Sequence, residues 1–260
     1  MKQRTVSAII LLIVLISALV ISSGLFGILM AIFAVIGFNE LFQVKFKDEK
    51  RLMPIKILGM LLVLFISLNN LFYKVDINVC VLLPLFALTL PIIFYEDNKL
   101  YNIIDALYVL GSVYFLGLSF GMIILMRNVN ISSCIFIFII SFITDTYAYI
   151  SGSLIGKHNF SKISPNKTIE GSFIGAFVGT VVGTVYYFNV VGGVTLYEAI
   201  ALCLFLSIIS EFGDLLFSSI KRHFLIKDYS NLIPGHGGIL DRFDSVIYVS
   251  LALSLIYSLF

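Results

Sequence analysis

The sequence predicts an all-α polytopic membrane protein with about nine transmembrane helices and a cytoplasmic N-terminus. Of its 260 residues, 60% are hydrophobic and only 12% are charged. Soluble domains average about 45–50% apolar and about 25% charged residues, so a soluble fold is excluded. The net charge of +2 is small and gives no reason to expect nucleic-acid binding. Apolar runs of about 17–25 residues, long enough to cross a bilayer, are predicted at 6–22, 25–43, 54–72, 77–95, 101–126, 131–151, 171–191, 196–216 and 243–259.

The cationic residues predict the orientation of these spans. With the N-terminus inside, fifteen of the 17 Lys and Arg residues fall on the inner side, and only Lys74 and Arg127 fall on the outer side. This is a strong positive-inside bias, and it favours an odd number of spans. The inner cations are Lys2, Arg4, Lys45, Lys47, Lys50, Arg51, Lys56, Lys99, Lys157, Lys162, Lys167, Lys221, Arg222, Lys227 and Arg242.

The first apolar run could be either a signal peptide or a retained helix. Lys2 and Arg4 before an apolar run could mark a cleaved signal peptide, but a retained first helix is favoured because the next span follows after only three residues. That short Ser22–Gly24 connection predicts a tight hairpin.

The cysteines, at 80, 134 and 203, all lie within apolar runs and have no metal-like spacing, so they are interpreted as small buried side chains.

The chain divides by chemistry into residues 1–128, which are spans with short loops, and residues 129–260, where acidic residues enter the spans. The second part is predicted to contain two cytoplasmic loops, at about 152–170 and 217–242. Both loops lie on the same side of the membrane, so charged substrates can reach both. Any catalytic apparatus is therefore expected in the last four spans and these two loops.

The helix that leads into the second loop carries Glu211, Asp214, Ser218, Lys221 and Arg222. Steps of three and four residues place most of them along one helix face. Within a membrane, Asp214 or Asp241 could simply neutralise Lys221 or Arg222 as an internal ion pair. The glycine-rich turn and second acidic helix that follow instead favour a site for phosphates.

That turn runs from Pro234 to Gly238 and cannot continue a helix. Its glycines permit positive φ and close backbone approach, which suits a loop that presents N–H groups to phosphate. A helix predicted to open at Asp241 carries Asp244 one turn later, near a helix N-terminus that favours anions. Carboxylates of Asp214 and Asp241 on separate helices could share a hard cation such as Mg²⁺.

Three further polar features lie near this region. His236 is interpreted as a substrate contact rather than a metal ligand, because no second His or Cys is suitably placed. Asp145, near the inner end of the sixth span, is a functional candidate that could instead pair with Lys167. The loop 164–171 resembles a helix cap leading into the seventh span, and it lacks the glycine pattern of a P-loop.

These residues resemble a known family. The stretch 218–244 is similar to the signature of phosphatidate cytidylyltransferases, with Ser, a hydrophobic residue, Lys-Arg, then Lys-Asp, a Pro-x-His-Gly-Gly turn and a closing Asp-Arg-hydrophobic-Asp. The segment around Asp145 and the loop 164–171 also look like that family. The motifs cover about the last half of the chain, and the N-terminal half is similar only in hydropathy and length.

The resemblance implies an integral enzyme of a bacterial-type cell membrane, with its active site facing the cytoplasm. It would make CDP-diacylglycerol and pyrophosphate from CTP and phosphatidate, with Mg²⁺ at Asp214 and Asp241 and a second, monovalent cation such as K⁺. The expected catalytic residues are Asp214, Asp241, Lys221 and Arg222. The expected substrate-binding residues are Lys167, Ser218, Lys227, Asp228, His236, Gly237, Gly238, Arg242, Asp145 and Asp244.

Alternatives to this function differ in class. Another CTP-using lipid enzyme, such as a polyprenol kinase or a cytidylyltransferase for a different lipid phosphate, would need similar charged groups. A proton- or ion-coupled transporter could use Asp105, Asp145 and Asp214 as a relay, although the acidic residues cluster in one half of the chain rather than in two symmetric halves. A non-catalytic scaffold would have no use for the charged loops. A homodimer is compatible with the sequence.

Overall fold

Ten α-helices make up most of the described chain in a computed structural model, which describes residues 2–47, 49–95, 100–161, 163–164, 167–233, 235 and 237–259. The predicted substrate contact His236, and the cations Lys99 and Lys162, lie outside the described residues. The helices are α1 Lys2–Ile21, α2 Ser23–Phe46, α3 Met53–Leu68, α4 Ile77–Thr89, α5 Pro91–Phe94, α6 Ile103–Val129, α7 Ile131–Ile155, α8 Ile169–Tyr186, α9 Leu196–His223 and α10 Leu240–Leu259.

Every apolar run singled out in the sequence falls on a helix. Within the described residues, seven helical segments are long and apolar enough to cross a membrane, which is consistent with a polytopic membrane protein. They are Ser23–Phe46, Lys50–Leu68, Ile77–Phe94, Ile103–Val129, Ile131–Ile155, Ile169–Val191 and Leu196–His223. Helices α1 and α10 are outside this set, so the count of nine and the orientation stay predictions.

Local chemistry explains where several helices begin and end. Ser22 alone separates α1 from α2, and its hydroxyl accepts the N–H of Gly24 at 3.2 Å, so the chain breaks where the hairpin was predicted. The predicted run 77–95 is divided into α4 and α5 at Pro91, which has no N–H to continue the helical bonding. Helix α9 begins with a capping box, in which Thr195 and Glu198 bond each other's backbone N–H groups.

The chain forms two compact units. The first comprises residues 1–128 together with the later segment 229–239. Its interior is filled by large apolar side chains of α2 and α6, including the fully buried Phe26, Phe38 and Phe120. Lys45, at the end of α2, pairs with Asp105 of α6 at 2.8 Å.

The second unit comprises residues 129–228 and 240–260, which form α7 to α10. Helix α8 places a glycine at every fourth position, at 171, 175, 179 and 183, and all four are buried. A methyl group on Gly175 would lie 2.6 Å from the carbonyl oxygen of Thr144 in α7. Small residues at this spacing let two membrane helices approach closely, and this contact fixes α8 and the loop before it against α7.

Candidate functional site

Helix α9 supplies the central polar face of the second unit. All of its predicted site residues are helical, as the spacing indicated. Asp214 is half-buried, and Ser218 and Lys221 follow it toward the C-terminal end of the helix. Lys221 lies in the last turn, where the negative end of the helix dipole stabilises a cation. Arg222 points outward, where its Nε donates to the carbonyl oxygen of Ile163 at 3.3 Å.

Lys167 joins this face from the loop before α8. Its Nζ lies 2.7 Å from Oε2 of Glu211 and 3.0 Å from Oδ2 of Asp214, and it also donates to the carbonyl oxygen of Glu211 at 3.1 Å. Burial alone would lower the pKa of the ammonium, but the carboxylates of Asp214 and Glu211 outweigh it and raise the pKa above its ordinary value. Lys167 is therefore a permanent cation at neutral pH.

The loop that carries Lys167 is held at both ends. Thr168 caps α8 by accepting the N–H of Gly171 at 3.1 Å, so the helix-cap interpretation of this loop is confirmed. The carboxylate of Glu170 receives the backbone N–H groups of Lys157 and His158, each at 3.2 Å. These bonds tie the start of α8 to the end of α7 and limit the positions that Lys167 can take.

Helix α10 contributes a second lysine–aspartate pair. The helix begins at Leu240, so Asp241 lies in its first turn, as predicted. Lys221 Nζ donates to Oδ1 of Asp241 at 2.9 Å, and the Asp241 side chain is only 3% exposed. The ion-pair interpretation of these residues is thus realised in the structure. A buried pair of this kind is weak evidence for stability, and it does not exclude a role in binding.

Two further aspartates lie within electrostatic range of these pairs. Asp244 is one turn after Asp241 and interacts with Asp214, Asp241 and Lys221. Asp145 of α7 accepts a hydrogen bond from the hydroxyl of Ser245 and is repelled by Asp244 and Asp214. It does not form the direct bond with Lys167 that was considered as an alternative, because Lys167 is bonded to Asp214 and Glu211.

The four aspartates of this cluster, Asp145, Asp214, Asp241 and Asp244, are candidate ligands for Mg²⁺. Among the described residues, no group of three or more His, Cys, Asp or Glu side chains is already arranged to hold a metal. Mg²⁺ needs fewer protein ligands, because it usually binds one or two carboxylates and keeps waters and substrate phosphates as the others. The Oδ1 atom of Asp145 is buried with no hydrogen-bond partner in the described structure, and Asp244 and Asp214 repel its carboxylate. Carboxylate oxygens are the type of ligand that a hard cation prefers.

The other predicted site residues lie at the edges of this cluster or in the first unit. Lys227 and Asp228 are exposed in the segment after α9, and Arg242 is exposed in the first turn of α10. Gly237 and Gly238 belong to the first unit and are buried there. Gly237 has φ +84° and Gly235 has φ +77°, a conformation that the sequence allowed, whereas Gly238 does not have positive φ.

Sequence reasoning gave no role in the favoured function to three buried acidic residues, Glu211, Glu40 and Asp105. Glu211 was placed on the polar face of α9, three residues before Asp214, but its bond to Lys167 was not foreseen. Its buried position in an apolar helix was the available signal. Glu40, in α2, has its described partners in the segment 229–239 of the same unit.

The chain is similar over its whole length to known proteins. Residues 2–260 match the cytidylyltransferase family. Proteins named phosphatidate cytidylyltransferase are 33% identical in Staphylococcus saprophyticus subsp. saprophyticus over 261 residues, and 34% identical in Staphylococcus epidermidis over 260 residues. A third, from Staphylococcus haemolyticus, is 31% identical over 257 residues, and each alignment covers 98% of both chains. This chain therefore belongs to the cytidylyltransferase family.

Proposed function

We propose that this protein is a phosphatidate cytidylyltransferase, which transfers the CMP moiety of CTP to phosphatidate and releases pyrophosphate. The observation that carries the proposal is the similarity over 98% of the chain to relatives that bear this name. The seven apolar helices agree with a lipid substrate. The cluster of lysines and aspartates in the second unit has the chemistry that an anionic nucleotide and an anionic lipid require.

The reaction proceeds by attack of a phosphate oxygen of phosphatidate on the α-phosphorus of CTP. A bond forms between that oxygen and the α-phosphorus, and the bond from the α-phosphorus to the bridging oxygen of pyrophosphate breaks. The second pKa of a phosphate monoester is about 6, so the lipid phosphate is largely dianionic at neutral pH. The nucleophile therefore needs no strong general base.

The side chains of the cluster then have separate tasks. Lys221, Arg222 and Lys227 receive phosphate oxygens of the nucleotide or the lipid, and Lys167 contributes a further permanent positive charge. Asp214 and Asp241 would hold Mg²⁺, supported by Asp145 and Asp244. Bound there, Mg²⁺ would supply positive charge to stabilise the departing pyrophosphate. Because both aspartates are bonded to lysines, substrate phosphates would exchange with carboxylates for the same ammonium groups.

The proposal includes a topology. The protein crosses the cell membrane nine times, with α1 and α10 added to the seven long apolar helices, and its N-terminus lies in the cytoplasm. The cation distribution supports this orientation, and it leaves the loops before α8 and after α9 open to cytoplasmic CTP. Homodimerisation and a second, monovalent cation remain predictions.

The direct test uses protein purified in detergent, labelled CTP and phosphatidate, with and without Mg²⁺. We expect label in CDP-diacylglycerol only when Mg²⁺ is present, together with release of pyrophosphate. A folded protein that labels a polyprenol or another lipid phosphate instead would identify the rival lipid enzymes. Failure with every lipid acceptor would contradict the assignment and favour transport.

A further inference from the structure

The carboxyl group of Glu40 is an unusual component of an apolar interior. It lies in the second half of α2, is 1% exposed, and has the buried aromatic residues Phe38 and Phe42 as near neighbours in sequence. Burying a carboxyl group is costly unless hydrogen bonds compensate for the lost water. The partners of Glu40 therefore indicate what the protein gains from keeping it there.

Two donors reach the same oxygen of Glu40 from the segment 229–239. The hydroxyl of Ser230 donates to Oε1 at 2.6 Å, and the backbone N–H of Ile239 donates to Oε1 at 3.0 Å. These donors flank the glycine-rich turn on its two sides. A single carboxyl oxygen thus fixes both ends of a segment about 190 residues away in sequence.

The turn is shaped to receive this carboxyl group. A methyl group on Gly238 would lie 2.6 Å from both Cδ and Oε2 of Glu40, so a larger residue there would displace the carboxyl group of Glu40. Gly237 adopts φ +84°, and its carbonyl oxygen accepts the N–H of Ile233 at 2.9 Å. The described part of the turn is therefore closed on itself and also anchored to α2.

We propose that Glu40 is a positioning residue for the glycine-rich turn, which it holds in the conformation that binds the phosphates of CTP. This inference rests on the proposed function for the identity of the ligand. Glycines lose more backbone freedom on ordering than other residues, and an anchor that orders the turn before binding removes this cost from the affinity for nucleotide. Glu40 acts through the turn and does not touch the substrate.

Kinetics separate this role from a general contribution to stability. Glu40→Ala removes the oxygen that accepts from the buried N–H of Ile239 and the part-buried hydroxyl of Ser230, which is expected to raise KM for CTP about tenfold to a hundredfold. KM for phosphatidate should remain unchanged. Glu40→Gln retains the size of the side chain and one accepting oxygen, and it should restore most of the affinity. The matched control is Asp105→Ala, which removes another buried acid of the first unit, bonded to Lys45 and to the N–H of Asn102.

A second measurement follows the turn without any substrate. A nitroxide attached at Leu232→Cys, an exposed position, reports the mobility of the segment, and the three native cysteines are buried. Glu40→Ala should increase the nitroxide mobility, whereas Glu40→Gln and Asp105→Ala should not. Ser230→Ala, which removes one of the two donors, should give a smaller increase, and it serves as the test if Glu40→Ala does not fold.

The two measurements distinguish failure of this proposal from failure of the proposed function. Unchanged mobility and unchanged KM for CTP in Glu40→Ala would overturn the anchoring role, as would equal effects of Asp105→Ala. A protein that never labels lipid from CTP, but whose turn is loosened by Glu40→Ala, would overturn the proposed ligand while retaining the anchor.

Discussion

At the scale of single residues, Lys167 pairs with two acidic side chains of α9 that lie close together. Glu211 and Asp214 lie one turn apart and repel each other, and the ammonium group of Lys167 bonds to both. The side chains of Lys167 and Glu211 are 10% and 6% exposed. At a buried site, removal of one partner of an ion pair destabilises the protein by more than the intact pair stabilises it, because the remaining charge stays buried without compensation.

Replacement of Lys167 is therefore expected to reduce stability strongly. Lys167→Met should lower the free energy of unfolding by about 3–5 kcal/mol, measured by denaturation in detergent. Glu211→Gln should cost much less, because Lys167 retains Asp214 and the backbone carbonyl oxygen of residue 211 as acceptors. A larger loss in Glu211→Gln than in Lys167→Met would contradict this description of the cluster.

The aspartates of the cluster are expected to affect turnover more than folding. Asp214→Asn and Asp241→Asn keep the shape of each side chain but remove the charge that would hold Mg²⁺. Metal-dependent stabilisation contributes several kcal/mol to such reactions, so kcat should fall about a hundredfold or more. Asp105→Asn, a buried acid of the first unit, is the control and should retain activity. Near-normal rates in both site variants would exclude them as metal ligands.

The residue types of the site could be predicted from sequence, but most of the pairings could not. Spacing placed Glu211, Asp214 and Ser218 on one helix face because helical geometry is local. The pairing of Lys221 with Asp241 was one of the predicted alternatives. The bonds of Lys167 to Asp214 and Glu211, however, join residues 47 and 44 apart. Such contacts depend on how helices pack, which local spacing does not determine.

At the scale of elements, the glycine face of α8 sets the distance between α7 and α8. Gly175→Ala would place a methyl group against the backbone of Thr144, which cannot move aside as a flexible side chain would. Overpacking of this kind costs about 1–3 kcal/mol. Gly111→Ala, on α6, adds the same methyl group where nothing lies within 4 Å.

The comparison of these two glycine variants tests the close packing directly. Gly175→Ala should lower the melting temperature in detergent and reduce the yield of folded protein. Gly111→Ala should leave both unchanged or raise them, since alanine is the better helix former. Equal effects of the two substitutions would show that the α7–α8 contact is looser than described.

Helical elements were the most predictable part of the fold, because apolar runs of spanning length leave few alternatives to a helix. The limits of the elements were less predictable. The predicted run 77–95 ignored Pro91, where the structure starts a separate short helix. Helix α9 ends at His223, which is seven residues beyond the predicted apolar run but only one beyond Arg222, the last residue that the spacing placed on this helix.

At the scale of the whole molecule, the proposed orientation can be tested on either side of α9. Tyr197 and Leu225, which are 84% and 93% exposed, lie near its two ends. An impermeant maleimide should label Tyr197→Cys in intact cells, and should label Leu225→Cys only after the membrane is permeabilised. The buried native cysteines give the background. The reverse pattern would invert the proposed topology.

The long separation between Glu40 and its donors also has a consequence in time. Ser230 follows Glu40 by 190 residues, and chains are synthesised at about 5–20 residues per second. Glu40 is therefore made roughly 10–40 seconds before either donor exists. During that interval α2 enters the membrane with an acidic side chain whose donors Ser230 and Ile239 have not been translated, so the first unit completes its interior only after residue 239 has been made.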